Sequence, residues 1–304
     1  MKPADLPLEL AVVAHDAGAA NFIIGWLEDR PALKLRLCAA GPAATLFART
    51  WPDRPFLELP DALHGAQVLL SGTSGPLAHL EHEARQLSRS LSLPSIGVID
   101  HWVNYRERFE RAGTVCLPDE IWVADRYAYD LARTLFTPNC VHLQANRYLE
   151  KIAARANVAA LPHPGLQHVL YVLEPMRSTW GRGEQLGEFQ ALDYFLAAWP
   201  RLGFPPATTR LRVRPHPSEE PGKYSEWLRR LHGQPAYAGL VAELDHTPDL
   251  AASVGWADHV AGCESFALTV ALAAGRRAYS TLPPWAPHCR LPQTDILHLR
   301  EMLS

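Results

Sequence analysis

The stretch Leu8-Glu9-Leu10-Ala11-Val12-Val13-Ala14, running through His15-Asp16-Ala17-Gly18-Ala19-Ala20-Asn21 into Phe22-Ile23-Ile24-Gly25-Trp26-Leu27, decides how the chain is read. An apolar, partly β-branched run of strand length is followed by small and polar residues, and then by apolar residues at helical spacing. That is a strand, a tight turn and a helix, the opening of an α/β unit. Small residues in such a turn let a ligand or its phosphate approach the helix N-terminus. No G-x-G-x-x-G stands here, so a dinucleotide is not implied.

The same grammar continues. Strands are expected over 33–39, 56–59, 66–70, 95–99 and 120–124, with helices over 43–49 and 77–91. Strands alternating with helices at this spacing imply a parallel sheet covered on both faces. Polar clusters follow the expected strands at 15–16, 71–75, 100–106 and 125–127. In a parallel sheet these loops share one edge and can line a cleft. The plain alternative is that strand ends are polar anyway; the His-Asp, Asp-His and Asp-Arg pairs exceed what turns require.

A helix over 146–156 and the break Leu161-Pro162-His163-Pro164-Gly165 place a boundary between 145 and 167. The pattern then restarts with His168 to Leu173, a polar loop containing Arg177, and a helix over 185–199 whose apolar face reads as core. Further strands are expected over 239–244, 258–261 and 279–282, with helices over 223–231, 250–256, 266–274 and 295–303. The expected fold class is α/β, two Rossmann-like doubly wound parallel-sheet domains facing a cleft. Residues 1–150 form the first domain and residues 151–304 the second.

Composition narrows the function classes. The 304 residues are 48% hydrophobic and 20% charged, enough for a sizeable core. A net charge of -3 shows no basic nucleic-acid footprint. The five cysteines are widely spaced, with no C-x-x-C, which fits a reducing compartment and buried thiols. No run approaches the roughly 18 apolar residues of a membrane span. A cytoplasmic protein is therefore expected, with no nucleic-acid partner, no transmembrane segment, peripheral membrane contact left open and the oligomeric state undefined.

In the second half, Leu211-Arg212-Val213-Arg214-Pro215-His216-Pro217-Ser218-Glu219 reads as a buried strand entering a rigid polar loop. Each proline fixes its own φ and biases the preceding residue toward extended conformations, so Arg214 and His216 are pinned. Further on, Gly262-Cys263-Glu264-Ser265 stands directly before a helix. Unpaired N–H groups and the helix dipole suit a phosphate there, while Ser265 equally suits a simple N-cap.

On His216-Pro217 and Ser265, 49 residues later, the chain resembles glycosyltransferases of the GT-B fold, particularly bacterial sialyltransferase-like, Kdo-transferase-like and capsule-polymer enzymes. The resemblance implies that the His-Pro loop contacts the nucleotide of a CMP-sugar donor and that the serine turn holds its phosphate. Relatives carry two adjacent hydroxyl residues where this chain has Glu264-Ser265. Glu264 is thus read as a ribose acceptor, as in other GT-B enzymes, and a UDP-sugar stays open beside CMP.

Glycosyl transfer needs a base for the acceptor hydroxyl and stabilisation of the leaving phosphate. Asp16 is the candidate base, with His15 and Asp100 in reserve; the alternative for Asp16 is a helix cap. Arg177, Arg214, His216, Pro217, Ser218, Glu264 and Ser265 are the candidate donor-binding residues, Arg177 because a guanidinium matches phosphate oxygens. No D-x-D motif is present, which agrees with a metal-independent enzyme needing no cofactor. The expected partners are a nucleotide-sugar donor and a cell-surface or capsular glycan acceptor. Three alternatives remain: a sugar-nucleotide epimerase or hydrolase of the same fold, a non-catalytic sugar- or nucleotide-binding protein, and a metal hydrolase suggested by 14 histidines but lacking H-E-x-x-H.

Overall fold

A computed structural model describes residues 1–304 except 160–164, 176–179, 184, 218 and 248. The chain divides into two compact units, Met1–Tyr148 and Leu149–Ser304.

The first unit alternates β1 (Glu9–Ala14), α1 (Ala17–Leu27), β2 (Lys34–Ala39), α2 (Gly41–Thr50), α3 (Leu59–Leu63), β3 (Val68–Ser71), α4 (Leu80–Ser90) and β4 (Ser95–Ile99). A two-stranded hairpin follows, β5 (Glu110–Arg111) and β6 (Thr114–Val115), then β7 (Glu120–Val123), α5 (Arg126–Leu135), β8 (Val141–Leu143) and α6 (Arg147–Val158), within which the division falls. Six strands form one parallel sheet in the order β2-β1-β3-β4-β7-β8. β1 is buried on both faces from Leu10 to Ala14, as expected of a central parallel strand.

The strand expected over 56–59 shrinks to a single bridge, Leu37 to Phe56 on the outer side of β2. Pro60 stands in the first turn of α3, where its fixed φ favours helix, so the chain turns helical at Leu59. Counting that bridge, the first unit follows the same order as the second, with β8 added beyond the sixth place.

The second unit contains β9 (Gln167–Val172), α7 (Gly187–Leu202), β10 (Thr209–Arg214), α8 (Ser225–His232), β11 (Val241–Leu244), α9 (Leu250–Trp256), β12 (His259–Gly262), α10 (Phe266–Ala273), β13 (Arg277–Ser280), β14 (Leu297–His298) and α11 (Leu299–Met302). Its parallel sheet runs β11-β10-β9-β12-β13-β14, the third, second, first, fourth, fifth and sixth strands of the unit. That is the Rossmann order. Its core joins Val169, Tyr171, Leu211 and Val213 of the sheet to Leu192, Phe195 and Trp199 of α7. The helix expected over 295–303 is instead a short edge strand followed by one helical turn.

Strand order reverses between β1 and β3 in the first unit, and between β9 and β12 in the second. Chains leaving neighbouring strands there diverge to opposite faces, which opens a crevice at the carboxyl edge. Those two places are where the polar residues gather.

Candidate functional site

At the first unit's switch point, His15 and Asp16 follow β1. Asp16 occupies the N-cap position of α1 but its side chain makes no cap hydrogen bond. It is instead 2.6 Å from His15 Nδ1 and accepts from the Gly75 amide at 3.2 Å. The His15 amide donates to Glu81 Oε1 at 2.8 Å, and Ser74 Oγ donates to the same oxygen at 2.5 Å. The pair is thus held by the loop after β3 and by a buried carboxylate from α4.

That loop is itself fixed by three arginines. Arg85 donates to the Gly72 carbonyl, Arg108 to that of Thr73, and Arg111 to those of Ser74 and Gly75. Arg85 is 1% exposed, and burial lowers its pKa to about 10, opposed by the nearby Glu81. With its carbonyls bound inward, the loop meets Asp16 through an amide.

Asp100, after β4, closes the same corner. Its Oδ1 pairs with Arg108 at 2.7 Å, and a Cβ placed on Gly18 would lie 1.6 Å from its Oδ2. His15, Asp16 and Asp100 therefore come together at the start of α1, although 84 residues separate Asp16 from Asp100. Asp100 is already engaged in an ion pair with side chains only 13% and 14% exposed, whereas the His15 and Asp16 side chains are 33% and 40% exposed.

At the second switch point, Glu174 follows β9 and Glu264-Ser265 follows β12. Gly262 approaches β9 so closely that a Cβ would stand 2.7 Å from the Val172 carbonyl oxygen. Glu174 Oε1 accepts from the Glu264 amide at 2.9 Å, and the Ser265 amide also donates to this carboxylate. Burial raises the Glu174 pKa to about 7; the two amides lower it, the Glu264 charge raises it and Arg290 lowers it. Ser265 accepts from the Ala267 amide at 3.2 Å and so caps α10.

Glu264, read from sequence as a ribose acceptor, is clasped by Arg290 from the loop after β13, which reaches both carboxylate oxygens. Beneath the turn, Ser280 Oγ donates to the Cys263 carbonyl at 2.7 Å, and burial holds the Cys263 thiol pKa well above its usual value.

The His-Pro loop leaves β10, beside β9. Arg214 turns toward β11: its Nη1 donates to Asp245 Oδ2, to the Thr247 carbonyl and to Ser253 Oγ, at 2.8 to 2.9 Å. Asp245 and Thr247 follow β11, on the side of β10 away from β12, and Ser253 is on α9. His216 is exposed; desolvation lowers its pKa and Glu219 opposes that. The Glu219 amide donates to the His216 carbonyl at 2.9 Å, closing the turn around Pro217. Lys223 braces it from behind, 2.5 Å from both Glu219 and Glu188. Arg177 and Ser218 lie outside the described residues.

Sequence reading missed Glu81, Arg85, Arg108, Arg111 and Arg290, and it had Ser74 only as part of the polar cluster at 71–75. One signal was present in α4, where Glu81, Arg85 and Ser88 form a polar stripe that the structure buries. A polar stripe beside the apolar Leu80, Ala84 and Leu87 marks a helix packed against polar loops rather than facing water. Among the described residues no group of three His, Cys, Asp or Glu is arranged to hold a metal ion, and no helix is long and apolar enough to cross a membrane.

No family model matches the chain, and no curated protein sequence matches it. Solved structures do. The UDP-GlcNAc 2-epimerase of Methanocaldococcus jannaschii, in complex with UDP-GlcNAc and UDP, superposes with a TM-score of 0.62 at 9% identity, covering 97% of this chain and 90% of the other. HepE of Anabaena, in complex with UDP-glucose, gives 0.53 at 11% identity over 90% and 80%. The glycotransferase of kitacinnamycin gives 0.50 at 14% over 91% and 80%. Together with the two six-stranded parallel sheets, these likenesses define the class: an α/β protein of the GT-B type, built from two Rossmann-like domains. Within that fold the neighbours include both sugar-transferring and epimerising enzymes.

Proposed function

We propose that the chain is a nucleotide-sugar-dependent glycosyltransferase, with residues 1–150 serving the acceptor and residues 151–304 binding the donor. The observation that carries this is the distribution of chemistry over the two switch points. A half-buried His–Asp pair stands at the first, and a helix N-terminus with a pinned His-Pro loop on the neighbouring strand stands at the second.

In this reading Asp16, oriented by His15 and the Gly75 amide, takes the proton of the acceptor hydroxyl. The acceptor oxygen bonds to the anomeric carbon, the bond from that carbon to the nucleotide phosphate breaks, and its electron pair stays on the phosphate. The α10 N-terminus and His216 would stabilise that charge, and Pro217, Glu264 and Ser265 would contact the nucleotide. UDP-sugars stand first among donors because HepE and the archaeal epimerase bind UDP compounds; CMP-sugars follow from the His-Pro resemblance. The acceptor is a cell-surface or capsular glycan, and the reaction is cytoplasmic and metal-independent, so chelator leaves it unchanged.

The test is a melting-temperature series with UDP, CMP, ADP and GDP, since any ligand selective for the native state raises the transition. A shift with UDP or CMP that His216→Ala abolishes supports the donor site. No shift with any nucleotide overturns it. A second reading, epimerisation of the donor sugar, is favoured by the 0.62 TM-score with a 2-epimerase. It is recognised by deuterium entering the sugar of a UDP-sugar in heavy water without any acceptor.

A further inference from the structure

Arg290 lies on the connection between β13 and β14, whose first residues are tied down. Arg300 donates to the carbonyls of Leu282, Pro283, Ala286 and Pro287, and the Trp285 indole N–H donates to Gln190 Oε1 at 3.0 Å. Leu282 and Ala286 pack with Cys263 and Ala191 in one apolar cluster. The loop therefore holds its guanidinium at the Glu264-Ser265 turn as a fixed part of the second switch point.

Glu174 and Glu264 both face the turn, and among the described residues Arg290 is a cation that acts on both carboxylates. Arg214 faces the opposite side of its strand, toward Asp245. The Arg290 side chain is 56% exposed, while the Glu264 carboxylate it clasps is 12% exposed. The guanidinium half of the pair is open to solvent and so within reach of an incoming anion. A planar fork of N–H donors matches phosphate oxygens as well as it matches a carboxylate.

We propose that Arg290 is the phosphate-binding cation of the donor site, held by Glu264 in the empty protein and transferred to the nucleotide's phosphate on binding. Resting on the donor-site reading above, this makes the Arg290–Glu264 clasp an exchangeable one: the guanidinium keeps an anionic partner in both states, and Glu264 is released toward the nucleotide as the phosphate arrives.

The experiment is titration calorimetry of the full chain with UDP and uridine, and with CMP and cytidine, on wild type, Arg290→Ala, Arg290→Gln and Arg290→Lys. Loss of a charge-assisted contact weakens the nucleotide roughly tenfold to a hundredfold in Arg290→Ala and Arg290→Gln. The nucleoside, lacking phosphate, binds all four proteins alike, and Arg290→Lys recovers part of the loss. Equal weakening of nucleotide and nucleoside, or an unchanged nucleotide affinity in a folded Arg290→Ala or Arg290→Gln, overturns the assignment and leaves the donor site standing. A wild type that binds none of the four probes overturns the donor site, and this inference with it.

Discussion

Asp16 stands at the N-cap of α1 yet turns its carboxylate away from the helix, 2.6 Å from His15 Nδ1. A capping aspartate is ordinarily worth about 1 kcal/mol to its helix. Here that bond is not made, so Asp16→Ala loses the His15 and Gly75 contacts in place of a cap and should cost about 1 kcal/mol in urea unfolding. Asp16→Asn should abolish sugar transfer while nucleotide affinity, measured by calorimetry, stays at the wild-type value. Unchanged turnover would move the base role to another group.

Gly18→Ala reverses the usual sign of its substitution. In an ordinary helix alanine is about 1 kcal/mol better than glycine. At this position the new Cβ collides with Asp100 Oδ2 and pushes that carboxylate off Arg108. The expected result is a destabilisation of about 2 kcal/mol or more, read by chemical denaturation, because a partly buried ion pair is broken. A stabilised variant would show that Asp100 has room to move.

Glu174 makes stability depend on pH in an identifiable window. Burial raises its pKa from 4.5 to about 7 in the folded protein. Between those values the native state holds more protons than the unfolded state, so stability falls as pH rises from about 4.5 to about 7 and levels off above. Glu174→Gln should remove that slope, worth at most about 3 kcal/mol across the window. Denaturation midpoints of the two proteins at pH 5 and pH 8 make the comparison; parallel profiles would contradict it.

Arg214→Ala should be a folding variant more than a binding one. The Asp245 side chain is 1% exposed and its pKa is held below the usual carboxylate value, against the pull of desolvation, by Ser253, Thr247 and Arg214. Removing the guanidinium leaves a buried charge short of its cation, at a cost of about 3 to 5 kcal/mol. His216→Ala, on an exposed side chain, should leave the unfolding midpoint close to wild type and lower nucleotide affinity. If Arg214→Ala folds normally and fails only in binding, Arg214 belongs with the donor residues.

The alternation of apolar runs and small-residue turns was enough to read two doubly wound sheets, because burial on both faces makes parallel strands nearly continuous in Val, Leu and Ile. Errors arose where local signals compete, as at Pro60, which favours helix over the strand Phe56 begins. Short edge elements such as β8, with one strand neighbour, leave weak apolar signatures.

Strand order was the decision left to tertiary structure. The residues His15, Asp16, Glu264 and Ser265 were visible as polar residues after strands. Only the pairing of β1 with β3 and of β9 with β12 makes them switch-point residues, because nothing local records which strands lie side by side. Partnership was decided the same way. Asp16 as a side chain bound to His15 rather than a cap, Arg214 facing Asp245, Glu174 on the Glu264 amide and Arg290 on Glu264 all join residues distant in sequence or turned by loop geometry. A chain specifies which groups are polar; packing selects which of them meet, since each buried charge or amide must find its partner from whatever the sheet order brings alongside.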